Sequence, residues 1–236
     1  MKPKIHIIVG ARPNFIKAHP VYHSLNQLNK FELKLVNTGQ HYDQNMSGVF
    51  IKELGMNQPD IDLEVGSGLH GEQTGKILSL SEKILIKEKP NMVIVFGDVN
   101  STIACSLAAA KLDIAIAHIE AGLRSFDWKM PEEINRVLTD RLSTLLFITS
   151  PEAKNNLINE GISTKKIHFV GNTMIDSLVQ FKDKFDKSKI RELLDIHDDY
   201  ALITLHRPSN VDNEKNLKRV INSIQDTSKV IPCIFP

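Results

Sequence analysis

The chain has 236 residues, 42% hydrophobic and 24% charged, enough for a packed core in one large domain or in one domain and part of another. Its 29 basic and 28 acidic side chains nearly cancel, which excludes a bulk electrostatic pull toward nucleic acid or an anionic membrane and leaves any anion site to local geometry. Cys105 and Cys233 are the only cysteines and lie far apart, so neither a disulfide framework nor a zinc-ligand spacing is present. No run approaches the ~18 apolar residues of a membrane span, and the first strand begins at once without a signal-peptide pattern. The expectation is a soluble cytoplasmic protein.

The first apolar run, residues 5–9, reads as a buried strand, and an amphipathic helix follows at 15–28. Between them, Gly10-Ala11-Arg12-Pro13-Asn14-Phe15-Ile16-Lys17 places two cations, Arg12 and Lys17, where a strand ends and a helix begins. A helix start offers unpaired N–H groups and the positive end of a dipole, so this junction suits a phosphate or diphosphate; a capped turn with two surface cations fits the spacing as well. Further strands are expected at 33–38, 92–96, 114–119, 145–149, 167–170, 200–204 and 230–235. Helices are expected at 44–54, 71–87, 101–112, 132–142, 151–160, 173–185 and 214–229.

Strands that are apolar throughout, alternating with helices, predict an α/β fold with parallel sheets covered on both faces. The expected domains are residues 1–170 and a second unit, 171–236, with only two strands, which reads as cut short. Ligands in such folds bind beyond the carboxyl ends of the strands, so the residues just after each strand are the candidates.

Asp98, after the strand 92–96, suits a general base or an acceptor for a sugar hydroxyl, and equally a turn; Ser101 or Thr102 is placed to cap the next helix. Glu120 ends the strand 114–119, where partial desolvation would make it a useful base; an ion pair with Arg124 is the plainer role. In Pro131-Glu132-Glu133-Ile134-Asn135-Arg136 the proline opens a helix whose apolar stripe is Ile134, Leu138 and Leu142. Glu132 and Arg136 are then spaced for an i,i+4 surface pair. His206 and Arg207 follow the strand 200–204 and mirror the cations of the first junction. The other histidines, including His6, His19, His23, His168 and His197, have no spacing that singles them out and are expected at the surface or as satisfied core residues, while His118 shares a strand face with Glu120. No G-x-G-x-x-G follows the first strand, and neither a Walker lysine motif nor G-x-S-x-G is present, so a nicotinamide enzyme, a P-loop NTPase and a serine hydrolase of that type are disfavoured.

Taken together, seven segments resemble the non-hydrolysing UDP-N-acetylglucosamine 2-epimerases: 10–17, 38–43, Gly97-Asp98 with Ser101-Thr102, 118–124, 131–136, 171–176 and 204–207, in the family's order. The resemblance implies two Rossmann-like domains in the GT-B arrangement, the second incomplete here. It implies a homodimer that interconverts UDP-GlcNAc and UDP-ManNAc without a cofactor, in the service of polysaccharide synthesis. Family roles fall on Arg12 as a UDP-binding arginine, Lys17 as a lysine needed for activity, and Asp98, Glu120 and Glu132 as acid/base carboxylates. Arg136, Arg207 and His206 match further substrate-site positions. The family continues into a C-terminal segment that this chain stops before, so the resemblance implies a truncated product. A hydrolysing epimerase, a GT-B glycosyltransferase and a non-catalytic fragment that binds or dimerises are the alternatives.

Overall fold

The computed structural model describes residues 2–39, 51, 53–205 and 208–235. Most of the apolar runs become strands of one sheet: β1 Lys4–Val9, β2 Glu32–Asn37, β3 Ile61–Asp62, β4 Met92–Phe96, β5 Ala115–Ala121, β6 Leu145–Ile148 and β7 Ile167–Phe169. The order across the sheet is β3-β2-β1-β4-β5-β6-β7, and every pair is parallel. The chain reverses its direction of travel between β1 and β4, the place where doubly wound sheets open a crevice for ligands.

The central strands are buried along nearly their whole length because helices cover both faces. On one face, the helices His70–Glu88 and Asn100–Lys111 enclose a core containing Ile8, Val36, Ile77, Leu85, Val93, Val95, Ala104 and Ala108. Alanines at 104, 108 and 109, all fully buried, let the second of these helices lie close to the sheet. A smaller cluster joins Ala121, Leu146 and Ile148 to Ala153 and Leu157 of the helix Pro151–Asn159. β3 was not expected from the sequence; it is a two-residue ladder at the sheet's edge, too short to leave an apolar run.

The chain divides into two compact units, Met1–Gln180 and Phe181–Pro236. The division falls inside the helix Thr173–Phe185, whose first half is tied to the first unit: Ser177 is buried and its hydroxyl donates to the Ile16 carbonyl at 2.7 Å. The second unit holds a parallel pair, β8 Ala201–Leu202 and β9 Cys233–Ile234, with the helix Glu214–Ser228 between them. Asn213 caps that helix by accepting from the Asn216 N–H at 3.1 Å. None of the helix's described residues is buried, and Leu202, Val230 and Phe235 are exposed. Among the described residues, no helix is long and apolar enough to cross a membrane.

His6 departs from the expectation of a surface or satisfied core histidine. It lies on β1 with no exposed surface, and neither ring nitrogen has a hydrogen-bond partner among the described residues. Burial pushes its pKa down from 6.5 to about 4. Because the folded value is the lower one, the unfolded chain takes up the proton first. Stability is therefore full above pH 6.5 and falls as pH drops toward 4, by an amount on the order of 3 kcal/mol. Urea midpoints measured at pH 7.5 and pH 5 should show this loss, and His6→Leu should remove most of the difference.

Candidate active site

The junction after β1 is built for close approach. The helix Arg12–Leu28 starts three residues earlier than its apolar pattern indicates, with Pro13 in the first turn. Asn14 is buried and fixes the turn from both sides: its Oδ1 accepts from the Ala11 N–H at 3.2 Å, and its Nδ2 donates to the Phe96 carbonyl at 3.1 Å. No side chain fits at Gly10, since a Cβ there would stand 2.8 Å from Ser101 Cβ. The start of the helix Asn100–Lys111 is thereby pressed against the junction. Ser101 and Thr102 do not cap that helix, whose N-cap is Val99. Instead Ser101 shares a 2.7 Å hydrogen bond with Thr38, and Thr102 donates to the Phe96 carbonyl at 2.8 Å. Two helix N-termini consequently begin beside each other at the crevice, and both contribute positive potential there.

At the carboxyl ends of β4 and β5 stand two cation–carboxylate pairs. Lys17, one turn and a half into its helix, is ion-paired with Glu120; Arg136 is ion-paired with Asp98. All four side chains are largely buried, at 13% and 17% exposure for the first pair and 15% and 30% for the second. Gly97 brings the pairs together. Its φ is +62°, and a Cβ there would lie 2.9 Å from Lys17 Nζ and 3.1 Å from Glu120 Oε2. Gly97→Ala should cost about 1–2 kcal/mol through the left-handed backbone, read as a lower urea midpoint, with Lys17 displaced from Glu120 in a crystal structure of the variant.

Glu120 itself has φ +72°, unusual for a residue with a side chain, and occupies a β-bulge where the β5–β6 register shifts between Ile119 and Ala121. The bulge turns the carboxylate out of the strand's alternation and onto Lys17. An ion pair between Glu120 and Arg124 is not formed. Arg124 is buried and turns away, bonding Glu160 through Nε and Nη2 at 2.7 Å each and Asp140 through Nη1 at 2.8 Å.

The helix Pro131–Leu142 also overturns a sequence expectation. Ile134 and Leu138, read as its core stripe, are exposed, whereas Glu133, Asn135, Thr139 and Asp140 are buried. The polar face is inward because its charged and amide groups have partners there; the Thr139 hydroxyl alone among the four has none among the described residues. Glu133 accepts the Ser125 and Phe126 N–H groups at 2.9 Å each and pairs with Arg136 at 3.0 Å. Asn135 donates to the Asp98 carbonyl at 2.9 Å and to Asn100 Oδ1 at 3.2 Å. Arg136 thus reaches Asp98 and Glu133 and leaves Glu132, which stands half-buried at the helix start. Arg12 is exposed at the first turn of its helix. His206 and Arg207 lie outside the described residues, as do positions 40–43 of the second matching segment and nearly all of the helix expected at 44–54. Glu133, Asn135 and Asp140 were not expected in the site.

The sequence matches the family described as UDP-N-acetylglucosamine 2-epimerase over residues 23–236. The chain belongs to this epimerase family. It is 49% identical over 230 residues to a UDP-N-acetylglucosamine 2-epimerase of Methanococcus maripaludis, covering 96% of this chain and 62% of that one. It is 44% identical over 236 residues to a UDP-2,3-diacetamido-2,3-dideoxy-D-glucuronate 2-epimerase of Pseudomonas aeruginosa, covering 99% of this chain and 66% of that one. The crystal structure of the Methanocaldococcus jannaschii UDP-GlcNAc 2-epimerase, in complex with UDP-GlcNAc and UDP, superposes with a TM-score of 0.92 at 46% identity, over 98% of this chain and 65% of that one. The chain therefore spans less than two thirds of the length of the curated relatives it matches. Within the epimerase family its fold is the α/β arrangement of that solved structure: the seven-stranded parallel sheet with a small second sheet.

Proposed function

We propose that the chain carries a non-hydrolysing UDP-GlcNAc 2-epimerase site that interconverts UDP-GlcNAc and UDP-ManNAc. The observation that carries this reading is the adjacency of Asp98 and Glu120, each held by a cation, at the crevice beside the Arg12–Lys17 junction. The hydrogen on C2 of the sugar is not next to a carbonyl, so removing it directly is difficult. When the C1–O bond breaks, its electron pair leaves with UDP and positive character at C1 acidifies the C2–H. A carboxylate takes that proton, and the C–H electrons form the C1–C2 double bond of 2-acetamidoglucal. Return of a proton to the opposite face of C2, with UDP oxygen re-adding at C1, completes the epimerisation.

This chemistry needs cations on a departing diphosphate and more than one carboxyl group around the ring. Arg12 and Lys17 supply the first, with Asp98, Glu120 and Glu132 as the acid/base set and Arg136 orienting Asp98. A diphosphate arriving at the junction shares Lys17 with Glu120 and so loosens the carboxylate for proton transfer. Arg207 and His206 are assigned as further substrate contacts, on a second Rossmann-like domain of the GT-B class (residues 171–236 here). The same reading includes a cytoplasmic homodimer, checked by analytical ultracentrifugation.

The reaction is tested by incubating the chain with UDP-GlcNAc in deuterated water and following the products by NMR. Deuterium at C2 of a retained UDP-sugar, with both epimers present, is the expected result. Free ManNAc would replace this reading with a hydrolysing epimerase, and absence of any exchange would leave a binding or dimerising fragment. Running UDP-2,3-diacetamido-2,3-dideoxy-D-glucuronate in parallel decides between the two substrates named for the relatives.

A further inference from the structure

We infer that Asp140 is a positioning residue for Glu120 and Asp98, acting from beneath the site without touching the crevice. Asp140 is 1% exposed, near the end of the helix Pro131–Leu142. Its two oxygens collect three contacts from one stretch of chain: Oδ1 meets His118 Nδ1 at 2.7 Å, and Oδ2 accepts the Gly122 N–H at 3.1 Å and pairs with Arg124 at 2.8 Å. Residues 118 and 122 bracket Glu120 on either side of the bulge. A non-glycine residue at φ +72° stays there only when its surroundings over-determine it, at a cost of about 1–3 kcal/mol. The bracketing contacts on Asp140 are that over-determination.

The same carboxylate reaches the other strand end through His118. The ring is fully buried, and its Nε2–H donates to the Gly97 carbonyl at 2.8 Å. Gly97 precedes Asp98 and makes room for the Lys17–Glu120 pair. One buried anchor therefore sets the bulge that aims Glu120 and the turn that carries Asp98. Arg124 completes the network outward to Glu160, which is partly solvated. The roles given to Glu120 and Asp98 rest on the epimerase reading; the control of their geometry by Asp140 does not.

The test compares Asp140→Asn with Glu160→Gln in the full chain. Asparagine keeps the volume of residue 140 but sets an NH₂ group against His118 or against Gly122 and Arg124. Glu160→Gln weakens the outer end of the same network and leaves residues 118–122 untouched. Circular dichroism checks that both variants fold. The readout is the side-chain carboxyl ¹³C resonance of Glu120, assigned by its loss in Glu120→Gln, together with the amide resonances of residues 97, 98 and 120–122. These resonances should move in Asp140→Asn and hold their positions in Glu160→Gln. In the C2 exchange assay, kcat should fall by about 100-fold in Asp140→Asn while KM changes by less than about threefold. A Glu120 resonance that stays in place in Asp140→Asn, or that moves equally in both variants, would overturn the proposal. Should Asp140→Asn fail to fold, His118→Gln, which removes the ring bridging Asp140 and Gly97, carries the same comparison against Glu160→Gln. A wild-type chain without C2 exchange would sink the epimerase reading, and the resonances would still decide the role of Asp140.

Discussion

Asp98→Asn is expected to lower C2 exchange by about a thousandfold, the middle of the range over which a positioned acid or base contributes. The change removes the ability to take or give a proton and little else. Asparagine has the same size, and the Asp98 backbone carbonyl keeps its hydrogen bond from Asn135. Arg136 loses one carboxylate and retains Glu133. Asp98 caps neither neighbouring helix, since the next one begins at Asn100 behind Val99, so the substitution leaves both helix starts intact. Rates near wild type, with an unchanged urea midpoint, would remove Asp98 from the acid/base set and leave it as a turn residue.

Glu133→Ala should have the largest effect on stability, about 3–5 kcal/mol by urea denaturation, the range for stripping one partner from a buried charged cluster. Truncation leaves the Ser125 and Phe126 N–H groups and one side of Arg136 unmet. Phe126 sits at φ +59° with its ring exposed, and the Glu133 carboxylate is what holds its amide in that conformation. Burial by itself raises the Glu133 pKa, but the two backbone N–H bonds and nearby Ser125 and Arg136 outweigh it, and the net direction is down. A depressed folded value means that this stabilisation is present above the ordinary glutamate range near 4.5 and is lost as pH falls below it. Acid therefore acts on the fold in succession, through His6 first and Glu133 afterwards. The Ala variant should lack the later phase.

How much of this was legible in the sequence depended on whether a residue's role followed from its own apolarity. The strands β1, β4 and β5 were, because sheets covered on both faces need unbroken apolar runs. Their carboxyl ends then pointed to Arg12, Asp98 and Glu120 directly. The helix Pro131–Leu142 misled for the converse reason. Periodicity counts hydrophobic side chains, and here the buried face is held by charges and amides whose partners come from distant segments. Glu133, Arg136 and Asp140 share one face at i, i+3 and i+7, a spacing visible in the sequence. What no spacing shows is that 125, 126, 118 and 98 converge on it. The bulge at Glu120 was equally hidden, since no residue type in Ile119-Glu120-Ala121 signals a left-handed backbone.

That bulge has a consequence for anyone redesigning the protein. Residue 120 is presented by a backbone that favours glycine or asparagine, so the carboxylate is there against local preference. Grafting β5 alone onto another scaffold would let the strand relax to ordinary pleating and swing the carboxylate to the opposite face of the sheet. The transplantable unit is the strand end together with the helix that follows it, two segments that must be inherited as a pair.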